Sequence, residues 1–322
     1  MAMSRIIRPE TLSGVSDFIY YHQVEQQIND YVDGKRLLIE ADTTRFGMYD
    51  QNFRWLRGEV TGFAGIPNHG KSKFVIFLSA LKMYYDNWKC AFYSPETTPP
   101  EFFFGNYIHT LTGYSLFSKS LKPTKIQVAH HRNLLEKNLY LCEPEKLPTF
   151  KGILERFTKA YEYHKPDMFV IDPFNTLERD WENSKRDDRY VGDFLEHVKE
   201  FAKKTDTCLV IVMHPNAGIK TKKDGIDLEC PNMYNLAGGA MWGNKLDNLI
   251  FVHRPNFLSN REDSTVLLRH SKIKKREIVG LGGDVYLDFN FRTNRYSVCG
   301  YEPPFITEAV QLVINPYSTA PF

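Results

Sequence analysis

Gly65-Ile66-Pro67-Asn68-His69-Gly70-Lys71-Ser72 is the stretch on which the reading of this sequence turns. It fits the pattern G-x-x-x-x-G-K-[ST]. It also lies between an apolar β-rich run at 60–64 and a helical pattern at 73–85, the context that gives the pattern physical meaning. Glycine lets the backbone wrap around a phosphate, the helix N-terminus presents unpaired N–H groups, and the lysine adds a mobile positive charge. Gly65, Pro67, Asn68, His69, Gly70, Lys71, Ser72 and Lys73 are therefore the expected nucleotide-binding residues. ATP, or another nucleoside triphosphate, is the expected ligand, with the Ser72 hydroxyl offered to Mg²⁺.

Outward from this loop, β-rich runs at 89–93, 168–171, 208–213, 248–252, 264–270 and 284–289 alternate with helical patterns. Apolar strands separated by helices predict an α/β fold, a mainly parallel central sheet covered by helices on both faces. The last two runs lie close together and predict a C-terminal antiparallel β-hairpin at the sheet edge. Three zones follow. Residues 1–57 form an N-terminal linker segment whose apolar Phe18, Ile19, Val24, Ile28 and Val32 predict a helix over 17–32. Residues 58–300 form the core. Residues 301–322, with four prolines and no Lys or Arg, read as an extended tail.

Composition narrows the class. Hydrophobic residues at 42% and charged residues at 25% exclude a disordered chain. No apolar run approaches the ~20 residues that span a bilayer, and no signal-peptide pattern follows the first residues. The five cysteines (Cys90, Cys142, Cys208, Cys230, Cys299) form no C-x-x-C pair. That excludes a zinc module and a disulfide framework and points to a reducing, intracellular compartment. A net charge of only +2 excludes a basic nucleic-acid coat, so any such contact must come from short basic loops.

The strand ends carry the remaining chemistry. The run 168–171 ends in Asp172, an acid placed to hold Mg²⁺ with Ser72. The run 89–93 leads into Ser94-Pro95-Glu96 and is expected to lie beside the phosphate-loop strand. There Glu96 would polarise water as general base; a surface glutamate ahead of the helix start at 97–101 is the plainer alternative. The run 208–213 ends at His214, placed to donate a hydrogen bond to a terminal phosphate.

Taken in order, TGFAGIPNHGKSKF (61–74), AFYSPETTPPE (91–101), FVIDPFN (169–175), VIVMHP (210–215), NLAGGAMWGNKLDN (235–248) and SKIKKREIVGLGG (271–283) resemble the superfamily-4 helicases, above all the Twinkle-like and DnaB-type branch. The resemblance covers about residues 55–290. It implies a RecA-like P-loop NTPase core, a ring of usually six copies, nucleotide bound between neighbours, and travel along single-stranded DNA during replication. It also implies that Glu96 is the catalytic glutamate, Asp172 the Walker B acid and His214 the phosphate sensor. Lys272 and Lys274, with Arg254 as a further candidate, would reach the neighbouring copy's site. Lys274 stands where the family places an arginine and lacks its bidentate fork, so Arg276 or Arg269 is an alternative. The helix near 17–32 is where the family places the linker that clasps the next copy.

RecA-like rings present two loops to their channel. The first here, 178–190, holds Arg179, Lys185, Arg186 and Arg189 among acids that leave it nearly neutral; the second, 216–235, holds Lys220, Lys222 and Lys223. Such residues neutralise phosphates without reading sequence. No primase-like segment is recognisable, so the chain is expected either to act with a separate primase or polymerase or to be a fragment of a fused protein, and a membrane is not an expected partner. A RecA-like recombination, repair or signalling ATPase that does not unwind DNA is the alternative reading.

Overall fold

The computed structural model describes residues 19–35, 40–179, 186–216, 218–223 and 225–305. The chain divides into two compact units, Met1–Glu40 and Ala41–Phe322. The first contains helix α1 (Tyr21–Val32), opened by a bond from the Tyr20 N–H to the Gln23 side chain (2.7 Å). Asp17 and Phe18 of the expected helix lie outside the described residues.

The second unit starts well before residue 58. Phe46, Tyr49, Phe53 and Trp55 are buried in its core, and the Asp42 and Trp55 backbones exchange two hydrogen bonds (2.6 and 2.7 Å). Among the described residues its frame is one nine-stranded sheet: β1 (Val60–Ala64), β2 (Cys90–Tyr93), β3 (Leu139–Cys142), β4 (Met168–Ile171), β5 (Cys208–Met213), β6 (Asn248–His253), β7 (Thr265–Ile273), β8 (Gly283–Asn290) and β9 (Arg295–Ser297). The order is β3-β2-β4-β5-β1-β6-β7-β8-β9, parallel through β6 and antiparallel beyond it.

One expectation is corrected and another extended. Strand β2 is not beside β1, because β4 and β5 lie between them. The C-terminal part is more than a hairpin, since β7 pairs with both β6 and β8, and a ninth strand closes the edge. Of the basic run 269–276, most residues belong to β7, and Arg276 opens the one-turn helix α8 (Arg276–Val279).

Alternation across the strands builds two cores. Cys208, Val210 and Val212 face one side, and Leu209, Ile211 and Met213 the other, as period-two geometry requires. Helices α2 (Lys71–Asp86) and α3 (Pro100–Thr112) cover the first face. Helices α5 (Phe150–His164) and α6 (Asp187–Thr205) cover the second, with α7 (Ala240–Lys245) beside them. Between α3 and α5, α4 (Lys125–Asn138) opens with a capping box between Thr124 and Gln127, which satisfies two otherwise orphaned donors. Helix α2 is buried at every position from Phe74 to Met83. Its buried Lys82 is paired with Asp86 (2.6 Å) and lies over the Trp88 ring, so that charge is not left unpaired.

Candidate active site

Strands β2, β4, β5 and β1 run parallel, so their C-terminal ends share one edge of the sheet. Binding crevices of open α/β sheets form outside such ends. Glu96 follows β2, Asp172 follows β4, His214 follows β5 and the phosphate loop follows β1. The edge that holds them is set by topology, although Glu96 comes from the strand farthest from β1 among the four.

The loop itself has the backbone that its sequence requires. Asn68 and Gly70 have positive φ (67° and 95°). At Gly65, a Cβ would meet the Val252 carbonyl oxygen at 2.2 Å, so no larger residue fits without moving β6. Gly70 precedes α2, whose first turn begins with Lys71 and Ser72. The Lys71 ammonium donates to the Ile66 carbonyl (2.9 Å) across the loop, and the Ser72 hydroxyl donates to Asp172 Oδ1 (2.9 Å). Asp172 is further fixed by its own N–H, which donates to the Tyr93 carbonyl (2.8 Å).

Burial sets the electrostatics. It drives the Lys71 ammonium down to about 8, against the pull of Asp172 and Glu96. It drives the Asp172 carboxyl up to about 6, against the Ser72 bond and Lys71. Burial, with Lys71 nearby, also takes His214 down to about 4, so its ring is neutral near pH 7. Its Nε2 lies 3.8 Å from a Glu96 oxygen, too far for a hydrogen bond, and its buried Nδ1 has no hydrogen-bond partner among the described residues. The His214 N–H is held by the Asn175 side chain (2.9 Å). Asn175 lies in the quoted phrase FVIDPFN, but sequence alone gives it no role.

Two further supports come from far along the chain. The Tyr296 hydroxyl donates to the Gly70 carbonyl (3.1 Å), and the Lys73 ammonium donates to Asn294 Oδ1 (2.8 Å). Asn294 in turn donates to Thr110 Oγ1 (2.9 Å), tying β9 to α3. His69 turns its ring into the protein. The ring stacks on His253 (5.1 Å) and accepts from the Arg254 N–H (2.9 Å), and burial holds it near 3.

The basic residues expected to act on a neighbour are mostly engaged within the chain. Arg254 does not project from the surface: its guanidinium donates to the carbonyls of Arg261 and Asp263 (2.7 Å each) and lies over Phe257 and Phe291. Lys272 donates to the Gly243 and Asn244 carbonyls (2.7 and 3.1 Å). Lys274 is half-exposed and shares buried Asp247 with Lys199 (3.2 and 2.8 Å). Arg269 is forked onto Asp284, and Lys275 meets Glu59. Arg276 is exposed and has no partner among the described residues.

The two basic loops differ as well. Arg179 pairs with Asp187, and Arg186 with Asp188 (2.8 Å). Lys185 lies outside the described residues. In the second loop Lys222 donates to the Pro255 carbonyl (2.6 Å), while Lys220 and Lys223 are exposed without side-chain partners among the described residues.

Among the described residues no helix is long and apolar enough to cross a membrane. No family model matches the chain. The fold is RecA-like, with a mostly parallel sheet, flanking helices and antiparallel C-terminal strands. Among solved structures it is similar to one described as an ATPase domain, with a TM-score of 0.69 at 14% identity over 88% of this chain and 99% of that one. It is also similar to a DnaB-like replicative helicase studied with primase, with a TM-score of 0.67 at 14% identity over 89% of this chain and 69% of that one. In sequence it is 27% identical over 267 residues to a Twinkle homolog of Arabidopsis thaliana, covering 77% of this chain. In sequence the chain is thus similar to a Twinkle homolog and in fold to DnaB-like structures, and it spans about a third (35%) of that curated relative's length.

Proposed function

We propose that the chain is the nucleoside-triphosphate-driven motor of a replicative DNA helicase, working as a ring of copies on single-stranded DNA. The observation that carries this is the convergence of Lys71, Ser72, Asp172, Glu96 and His214 at one sheet edge, with Ser72 bonded to Asp172. The Twinkle and DnaB resemblance supplies the helicase part of the reading.

The residues fit a metal-bound triphosphate. Ser72 and Asp172 form an adjacent hydroxyl–carboxylate pair, Lys71 is a buried cation spanning the loop, and the orphaned Nδ1 of His214 lies at the same edge. Mg²⁺ held by Ser72 and Asp172 would supply charge neutralisation on the phosphates. The loop amides and Lys71 bind and orient the phosphates. Glu96 accepts the proton of the attacking water. His214, neutral and held by Asn175, senses the terminal phosphate and passes its state to the strand end. Across the subunit boundary Lys272 and Lys274 remain the residues the resemblance assigns, and exposed Arg276 is the alternative best placed to reach out.

The DNA contact is assigned to the second loop, through Lys220 and Lys223. Steady-state hydrolysis with and without single-stranded DNA tests the whole reading. Stimulation that fades as salt rises is expected, because phosphate contacts release counterions. Hydrolysis indifferent to DNA would instead favour a signalling ATPase of the same fold.

Asp172 gives a pH prediction. Its folded carboxyl titrates near 6, above the ordinary 3.8, so between those values the folded chain holds a proton that the unfolded chain has released. Acidification through that window therefore favours the empty folded chain. Metal needs the carboxylate, so Mg²⁺-dependent nucleotide affinity should fall by roughly tenfold per pH unit below about 6. Calorimetric titration at pH 7.5, 6.5 and 5.5 checks this; a flat profile would remove Asp172 from the metal site.

A further inference from the structure

The loop from Asn216 to Asn235 is closed at its neck by a bond between these two backbones (2.7 Å). Inside it, Thr221 pairs with Leu228, and the Glu229 N–H donates to the Lys220 carbonyl (2.8 Å), so Lys220 and Lys223 ride on a small two-stranded finger. That finger is fastened to the segment after β6. Asp227 is buried and accepts from the N–H groups of Leu258 (2.9 Å) and Ser259 (3.2 Å), and from the Ser259 hydroxyl. Lys222 fastens the same finger from its other strand, donating to the Pro255 carbonyl (2.6 Å) and reaching Asn256 Oδ1 (3.5 Å).

The segment so gripped is itself seated against the phosphate loop. The Arg254 N–H donates to His69 Nδ1, and the Phe257 ring packs on the His69 ring (4.8 Å between centroids). Arg254 closes the segment's far end through the Arg261 and Asp263 carbonyls. From His69 to Lys220 and Lys223, therefore, every link is a packed ring or a hydrogen bond, and the finger cannot shift without either moving 254–260 or releasing both Asp227 and Lys222.

We propose that Asp227 is a positioning residue: it latches the finger carrying Lys220 and Lys223 to the 254–260 segment, and so makes the grip on single-stranded DNA depend on what the phosphate loop holds. This rests on the DNA-binding role assigned to that finger above. Asp227 touches neither nucleotide nor DNA in this account. It acts by holding the lysines in a place that His69 and Arg254 define. A salt-tolerant, merely structural loop would show no such dependence, because its affinity would be the same in every nucleotide state.

The test is the affinity of the full chain for a fluorescent oligothymidylate, read by anisotropy with a non-hydrolysable ATP analogue and with ADP. Wild type, Asp227→Ala, Asp227→Asn and Ser259→Ala are compared. Ser259 is exposed and its change removes one hydroxyl, so this variant stays informative if Asp227→Ala folds poorly. The wild-type affinities should differ by about tenfold between the two nucleotides, the Asp227→Ala ratio should shrink to within about threefold, and the Ser259→Ala ratio, with both N–H bonds to Asp227 kept, should shrink part of the way. Asp227→Asn, which can still accept one N–H, should fall between. The KM for nucleotide in the absence of DNA should not move. Variants that keep the wild-type ratio overturn the latch alone, as does a wild type that binds DNA equally with both nucleotides. A wild type that binds no oligothymidylate in any state overturns the DNA reading, and the latch with it.

Discussion

Lys71→Ala is expected to reduce triphosphate hydrolysis by at least roughly 10²–10³-fold while leaving the fold intact. The side chain is buried at the mouth of α2 and spans the phosphate loop to the Ile66 carbonyl. In the empty chain that ammonium is held unfavourably, which is what a value near 8 for a lysine means. The sign follows: between about 8 and 10.5 the unfolded chain binds the proton that the folded chain has shed, so stability rises with pH through that window. At pH 7 the buried charge is a burden on the fold, and removing it relieves that burden. A triphosphate reverses the balance by giving the ammonium its counter-charge. Activity and stability are therefore expected to part company in this variant. Circular dichroism and thermal melting beside a hydrolysis assay measure both, and normal turnover would end the assignment of the loop.

Glu96→Gln should lower turnover by about 10²–10⁴-fold with little change in nucleotide affinity. Glutamine keeps the shape of the side chain and its approach to His214, where the present separation is 3.8 Å. It loses only the ability to take a proton. Because His214 is neutral near pH 7, the pair is not held by a salt bridge that the substitution would break. Binding of a fluorescent nucleotide analogue and single-turnover hydrolysis separate the two effects. A variant retaining more than about a tenth of the wild-type rate would remove Glu96 from the role of base and leave the plainer reading, a surface glutamate ahead of α3.

The strand ends were legible in sequence because chemistry and local structure coincide there. A run such as Met168–Ile171 must be buried on both faces, and the first polar residue after it marks the edge of the sheet. What could not be read was which edges adjoin. Two strands pass between β1 and β2, and nothing in a linear pattern records that insertion. Strand β3 is mostly only half-buried and β9 has three residues, so neither shows the fully apolar run that marks β2 and β4. The partners of the basic residues were hidden for another reason. Arg254 is caught by the main-chain carbonyls of Arg261 and Asp263, and every residue carries such a carbonyl. Charge pattern locates cations but not the backbone that satisfies them. The near-neutral character of the first basic loop could be read, since Asp187 and Asp188 stand beside Arg186 in the sequence and pair with Arg179 and Arg186 in the fold.

The bond from Tyr296 to Gly70 joins residues 226 apart. On a ribosome adding about 5–20 residues per second, the phosphate loop is made roughly 10–45 s before the tyrosine that braces it. Lys73 waits equally for Asn294, which arrives in the same turn ahead of β9. A nascent chain thus carries an unbraced nucleotide loop until residues 294–296 are added, and the last described strand is the one that finishes the first motif. Nucleotide competence becomes a late property of the growing polypeptide, and a chain cut short ahead of Asn294 would keep all the catalytic residues yet lack the brace that sets them.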